Sequence, residues 1–141
     1  MTITSIDFET ANPSRVSICA AGMAVFENGS LVESPYWLVR PPQGHGDFWA
    51  RFTGCHGLTQ RDVRHEAEFS TIAPEFVSRL MRSDLVIAHN APFDIGQAKV
   101  ASSEDRGASV EDGSRKPEVS GRWDRAARCR CSARWSSPAK T

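Results

Sequence analysis

Thr2-Ile3-Thr4-Ser5-Ile6-Asp7-Phe8-Glu9-Thr10 is the stretch on which the reading of the fold turns. It reads as a short strand ending in two carboxylates, Asp7 and Glu9, at i and i+2. Alternate residues of a strand point to one face, so this spacing sets the two side chains side by side. Two like charges held that close favour a cation between or beside them. A hard divalent ion such as Mg²⁺, bound through carboxylates and substrate phosphates, meets that need. The plainer alternative is a solvated acidic turn at a strand end.

Outward from this strand, Arg15 to Phe26 is apolar and partly alternating, as a strand with one buried face should be. Glu27-Asn28-Gly29-Ser30 then carries Asn-Gly, the strongest short-range hairpin signal. Leu31 to Arg40 reads as the return strand, ended by Pro41-Pro42. Residues 41 to 57 form a loop in which Phe48, Trp49 and Phe52 are expected to cover the core rather than stack on a base. Thr59 and Asp62 resemble a capping box, with Asp in place of the preferred Glu or Gln.

Phe69, Ile72, Ala73, Phe76, Val77, Leu80 and Met81 form one helical apolar stripe. Pro74 fits that helix if it starts at Ser70 or Thr71, leaving the proline in the first turn. Leu85-Val86-Ile87-Ala88 is apolar without alternation, which suits a strand parallel to its neighbour and buried. It runs into His89-Asn90-Ala91-Pro92-Phe93-Asp94, where Pro92 suits the first position of a new helix. Asp94 then falls in a helical first turn, a position that favours a carboxylate for purely structural reasons.

Active sites of α/β folds gather where parallel strands end and the next helices begin. If the first strand and the 85–88 strand are neighbours, Asp7, Glu9 and Asp94 converge. Two metal ions about 3.5–4 Å apart, held by such carboxylates, are a recurrent device for cleaving phosphodiesters.

Taken together, Ile6-Asp7-Phe8-Glu9-Thr10, His56-Gly57-Leu58-Thr59 and His89-Asn90-Ala91-Pro92-Phe93-Asp94 resemble the segments of the DEDD (DnaQ-like) 3′–5′ exonucleases. Within that superfamily they most resemble the proofreading epsilon subunit of bacterial DNA polymerase III. The resemblance covers about residues 1 to 98. It implies an α/β, ribonuclease H-like mixed sheet: three antiparallel strands, a helix, and a fourth strand parallel to the first. It also implies two Mg²⁺ (or Mn²⁺) ions, with Asp7, Glu9 and Asp94 as catalytic metal ligands. Thr10, His56, Asn90 and Phe93 match positions near the 3′-terminal nucleotide; for His56 a plain loop histidine is the alternative. His89 matches a family residue of structural character. The implied substrate is nucleic acid with a 3′ end, DNA before RNA, and a DNA polymerase is a candidate partner.

The family's third motif, His-x-x-x-x-Asp or Tyr-x-x-x-Asp, supplies the group that orients or deprotonates water, together with a fourth carboxylate. No histidine follows His89 and the one tyrosine is Tyr36, so neither form is present. Asp105, Asp112 and Asp124 lack the matching context.

Composition changes at the same place. In residues 101–141, Ala, Arg, Ser, Gly and Pro account for 26 of 41 residues, too few large apolar side chains to offset the entropy of ordering. The expected organisation is therefore a partial exonuclease domain over 1–98, lacking the last strand and the catalytic helix, and a disordered tail over 99–141. A shifted reading frame after about residue 98 would produce such a tail. A basic, tryptophan-bearing nucleic-acid arm is the alternative. Without its last strand, the 85–88 strand is expected to be a bare edge.

Charge adds little: residues 1–100 hold 8 Lys/Arg against 11 Asp/Glu, and residues 101–141 hold 9 against 6. Neither half is charged strongly enough to name a partner. Four cysteines without a framework spacing, no secretory leader pattern and no membrane-length apolar run give a cytoplasmic expectation with free thiols and no membrane partner. Cys129-x-Cys131 lacks a second pair or a nearby His, which weighs against a zinc site.

Overall fold

The computed structural model describes residues 1–88, 93, 94, 96, 97, 118 and 119. Its elements are β1 (Thr2–Thr10), β2 (Ile18–Glu27), β3 (Ser30–Glu33), β4 (Tyr36–Leu38), α1 (Ala50–His56), α2 (Gln60–Val63), α3 (Phe69–Leu80), β5 (Leu85–Ala88) and β6 (Glu118–Val119). They form one mixed sheet in the order β3-β2-β1-β5-β6, with β4 also paired to β2. The expected α/β, ribonuclease H-like topology is therefore present: β1 is antiparallel to β2 and parallel to β5.

β1 lies between them because its alternation is strict. Thr4, Ile6, Phe8 and Thr10 are buried, while Ser5, Asp7 and Glu9 on the opposite face are half-buried. The buried face packs on α3, where Phe8 meets Phe69 (ring centroids 5.5 Å) and Phe76 (5.1 Å). Ile18, Ala21, Met23, Val39, Ala73, Val86 and Ala88 complete this core. Phe8 thus anchors the backbone between the two carboxylates.

The hairpin turn is as the sequence indicates. Asn28 (φ 50°) and Gly29 (φ 84°) both take positive φ, the pattern of a type I′ turn. The single return strand expected over 31–40 is corrected to two, β3 and β4. Pro35 has no N–H for the ladder, and the register slips at Val25/Phe26. The carbonyl of Pro35 still accepts from Met23 N–H at 3.0 Å.

α3 begins at Phe69 behind Glu68, one or two residues earlier than its proline suggests, so Pro74 lies inside the helix beyond its first turn. Pro74 forgoes one backbone hydrogen bond there, while Phe69, Ala73 and Phe76 are buried on the sheet. Arg79 pairs with Glu75 on the same helix and with Glu33 of β3.

The register of β5 against β1 is fixed by Ser83 and Asp84, the two residues just before the strand. Asp84 accepts from Thr2 N–H at 2.7 Å and donates its own N–H to Thr2 O at 2.9 Å. The hydroxyls of Ser83 and Thr4 share a buried hydrogen bond of 2.6 Å. Ala88 then lies opposite Ile6, so β5 ends one residue short of the level of Asp7.

Two expectations about β5 need correction. Ile87 is exposed, so the strand is covered fully on the α3 face alone. Nor is its outer edge bare, because Glu118–Val119 pair with Leu85 and Val86 in parallel. Apart from those two residues, the tail expected over 99–141 lies outside the described residues. Among the described residues no helix is long and apolar enough to cross a membrane.

Candidate active site

Asp7 and Glu9 leave the sheet on the face away from α3, opposite Gly22 and Ala20 of β2. Immediately after Glu9 the register slips, so that Thr10 pairs with Ile18 and Cys19 is the extra residue. A bulge of this kind bends the strand and re-aims its last side chains, a feature common beside active sites.

Asp94 lies in helical backbone after β5, with Phe93, Gly96 and Gln97, and is 1% exposed. Its charge reaches Glu9. Burial, Asp7 and Asp94, in that order, push the Glu9 carboxyl up to about 7. The three carboxylates that the sequence singles out therefore act on one another electrostatically. Among the described residues, however, no three His, Cys, Asp or Glu side chains are gathered closely enough to hold a metal ion.

The chemistry of these oxygen donors, though not their spacing, suits a divalent cation. Three acidic groups in mutual repulsion, one of them held protonated to near neutrality, are what a hard ion with oxygen ligands would relieve.

His56 ends α1 and has a defined tautomer. Its Nδ1 accepts from Leu58 N–H at 3.0 Å, which leaves the proton on Nε2 to donate to Thr10 O at 3.1 Å. Burial lowers its pKa, which favours this neutral form. His56 therefore holds the backbone one residue beyond Glu9 rather than presenting a free donor. Gly57, at φ 77°, supplies the left-handed turn that lets the His-Gly-Leu-Thr segment leave α1. The Asp substitute in the capping box works: Asp62 accepts from Thr59 N–H and from the Thr59 hydroxyl, both at 2.7 Å.

Asn12 is a support that the sequence reading missed. Its Nδ2 donates to His45 O (3.1 Å) and Asp47 O (2.9 Å), while its Oδ1 accepts from Ser14 N–H. It ties the turn after β1 to the long loop. The only signal was an Asn two residues beyond the motif, a type that favours such turns.

The other expected site residues are placed as follows. Thr10 has its side chain buried on the core face, so only its backbone borders the carboxylates. Phe93 packs against the hydrophobic core. Asn90, His89 and Pro92 lie outside the described residues. Cys19 is buried, and burial together with Glu9 pushes its thiol up to about 12, which keeps it protonated. Cys19 and Cys55 form no disulfide; Cys129 and Cys131 lie outside the described residues. Gln97 is fully buried, and neither carboxamide atom has a hydrogen-bond partner among the described residues.

The loop aromatics differ from expectation. Trp49 is 55% exposed and touches Phe52 edge-on at 6.5 Å, and neither belongs to the core. Phe48 instead lines a cavity of about 380 Å³ with Arg40, Val63 and Arg64; none of the three carboxylates borders it.

Comparison with known proteins follows the same lines. No protein-family model matches the chain. Over 90 residues it is 28% identical to a DNA polymerase III of PolC type from Mycoplasmopsis pulmonis, spanning 62% of this chain and 6% of the polymerase. Exonuclease X, solved with 5′-overhanging duplex DNA, superposes with a TM-score of 0.55 at 24% identity, over 65% of this chain and 51% of that one. The nuclease domain of 3′hExo, a DEDDh family member bound to rAMP, gives 0.57 at 16% identity, over 73% and 58%. E. coli exonuclease I with single-stranded DNA gives 0.59 at 12% identity, over 69% and 22%. The fold is the one that these exonuclease structures share. The chain spans about half the length of Exonuclease X and a small part of the polymerase. In this shared frame the strand of Asp7 and Glu9 is β1, the strand parallel to it is β5, and the Asp94 segment follows β5.

Proposed function

We propose that this chain carries a metal-dependent 3′–5′ exonuclease site of the DnaQ-like type, acting on the 3′-terminal phosphodiester of DNA. The observation that carries the reading is the placement of Asp7 and Glu9 at the end of β1, parallel to β5, within electrostatic reach of Asp94: burial first, then Asp7 and Asp94, raise the Glu9 carboxyl to about 7. Asp7, Glu9 and Asp94 would hold Mg²⁺ or Mn²⁺, two ions in the intact family site. When bound, such ions activate the attacking water and stabilise both oxygens of an in-line displacement.

The chain's own residues supply the frame. Phe8 locks β1 onto α3, so Asp7 and Glu9 share the opposite face. His56 clamps the Thr10 carbonyl, and Asn12 fixes the turn that follows.

Turnover by this chain is expected to be weak. Its sequence holds neither the third-motif His nor the third-motif Tyr. A positioned general base contributes about 10²–10⁴-fold, so slow release of mononucleotides is the expected behaviour. The same observation favours a second reading, a non-catalytic protein that binds nucleic-acid ends or a polymerase.

The test is release of mononucleotide from 3′-labelled single-stranded DNA with Mg²⁺, comparing the wild type with Asp7→Asn. Slow, Mg²⁺-dependent release that the variant loses supports the nuclease. End binding with no release supports the second reading. Release that is unchanged in Asp7→Asn overturns the assignment.

A further inference from the structure

The face that carries Asp7 and Glu9 continues across two more strands. Asp7 pairs with Gly22 of β2, and Gly22 pairs with Tyr36 of β4, so the three lie in one row. The neighbouring Trp37 packs on Phe76 in the core, which places Tyr36 on the opposite, carboxylate face. Gly22 has no side chain to separate the outer members of the row. A Cβ at Gly22 would lie 3.5 Å from Tyr36 Cδ2 and 4.0 Å from the Asp7 carbonyl oxygen. The tyrosine ring therefore borders the floor between β4 and Asp7.

Aromatic cover of a strand glycine is a familiar cross-strand contact. It would be satisfied by phenylalanine and a buried ring. Tyr36 is instead 42% exposed and carries a hydroxyl that packing over Gly22 does not require.

Among the described strand residues, a phosphate brought to this face meets Ser5, Asp7, Glu9, Ala20, Gly22 and Leu38, none of them a Lys, Arg or His. Among the described residues the His56 imidazole is already committed, because its Nε2 donates to Thr10 O. Next to two carboxylates, a neutral hydroxyl is a donor that need not form an ion pair with them.

We propose that Tyr36 is a substrate-contacting residue of the carboxylate site, donating its phenolic hydrogen to a phosphate oxygen of the 3′-terminal nucleotide. This rests on the nuclease reading of Asp7, Glu9 and Asp94. It goes beyond that reading by assigning a role to a tyrosine outside all three motif segments.

Tyr36 is the one tyrosine of the chain, so incorporating 3-fluorotyrosine into the full-length protein gives a single ¹⁹F resonance. Mn²⁺ bound at the carboxylates should broaden that resonance. With Mg²⁺ present, thymidine 5′-monophosphate should shift it and thymidine should not. In unlabelled protein, Tyr36→Phe should weaken thymidine 5′-monophosphate binding about tenfold, as loss of one hydrogen bond to a charged acceptor does, with its near-UV circular dichroism unchanged. Broadening by Mn²⁺ with no monophosphate shift overturns the Tyr36 assignment and leaves the metal site standing. Equal monophosphate binding by wild type and Tyr36→Phe overturns it as well. No broadening by Mn²⁺ removes the carboxylate metal site, and the Tyr36 assignment falls with it.

Discussion

His56 donates from Nε2 to the carbonyl oxygen of Thr10 at 3.1 Å, and Thr10 is the residue that follows Glu9. This bond joins the end of α1 to the end of the carboxylate strand. It makes a loop histidine part of the site without requiring it to touch substrate. Replacing it by Ala leaves the Thr10 carbonyl short of a partner, at a cost of about 1–3 kcal/mol. His56→Ala should lower the urea midpoint with an unchanged m-value. An unaltered midpoint would show that the clamp carries no weight.

Phe8 ties the same strand to α3 from the other face. Its contacts with Phe69 and Phe76 make Phe8→Ala a core truncation of about 3–5 kcal/mol. Phe8→Leu, which retains most of the apolar volume, should cost much less. Chemical denaturation of the two variants checks the order.

Glu9 sets the pH dependence. Its folded pKa of about 7 lies above its ordinary value of 4.5, so the folded state binds the proton more tightly than the unfolded chain. The stability this contributes is fully present below about pH 4.5 and is lost as pH rises through about 7. In metal-free protein Glu9→Gln should match the wild type near pH 4 and exceed it at pH 8. His56 works in the opposite sense, because its lowered pKa costs stability as the solution turns acid. The Glu9 effect is therefore read as the difference between wild type and Glu9→Gln at each pH. A difference that does not change with pH would contradict it.

Asp62 tests the local reading of the His-Gly-Leu-Thr segment. It accepts the Thr59 N–H at the start of α2, and Asp62→Ala should cost about 1 kcal/mol. Asp62→Glu should retain most of that, since Glu is the residue usual at this position of a capping box. Thermal melts of both variants discriminate.

Much of this was legible in the residues. The i, i+2 carboxylates, the Asn28-Gly29 turn and the stripe from Phe69 to Leu80 each express a local rule, and each element forms. The order of β1 and β5 followed from the lack of alternation in Leu85–Ala88, although Ile87 proved exposed. What was not legible depended on distant partners. The role of Ser83 and Asp84 depends on Thr2 and Thr4, which are about eighty residues away in sequence. The split between β3 and β4 depends on Pro35 meeting a slipped register in β2. Trp49 was expected over the core and proved exposed, because the segment before α1 has no periodicity to show which way a side chain faces. Tyr36 was noticed only as failing a motif, since its relation to Asp7 runs through two strand pairings.

The central claim is that Asp7, Glu9 and Asp94 form one cation site, and Mn²⁺ titration of the full-length protein followed by electron paramagnetic resonance tests it most directly. The expected result is saturable binding that Asp7→Asn, Glu9→Gln and Asp94→Asn each weaken by about tenfold or more, while Glu68→Gln, whose carboxylate pairs with Arg40, leaves it unchanged. Binding of equal strength in all five proteins, or no saturable binding in any, would contradict the claim.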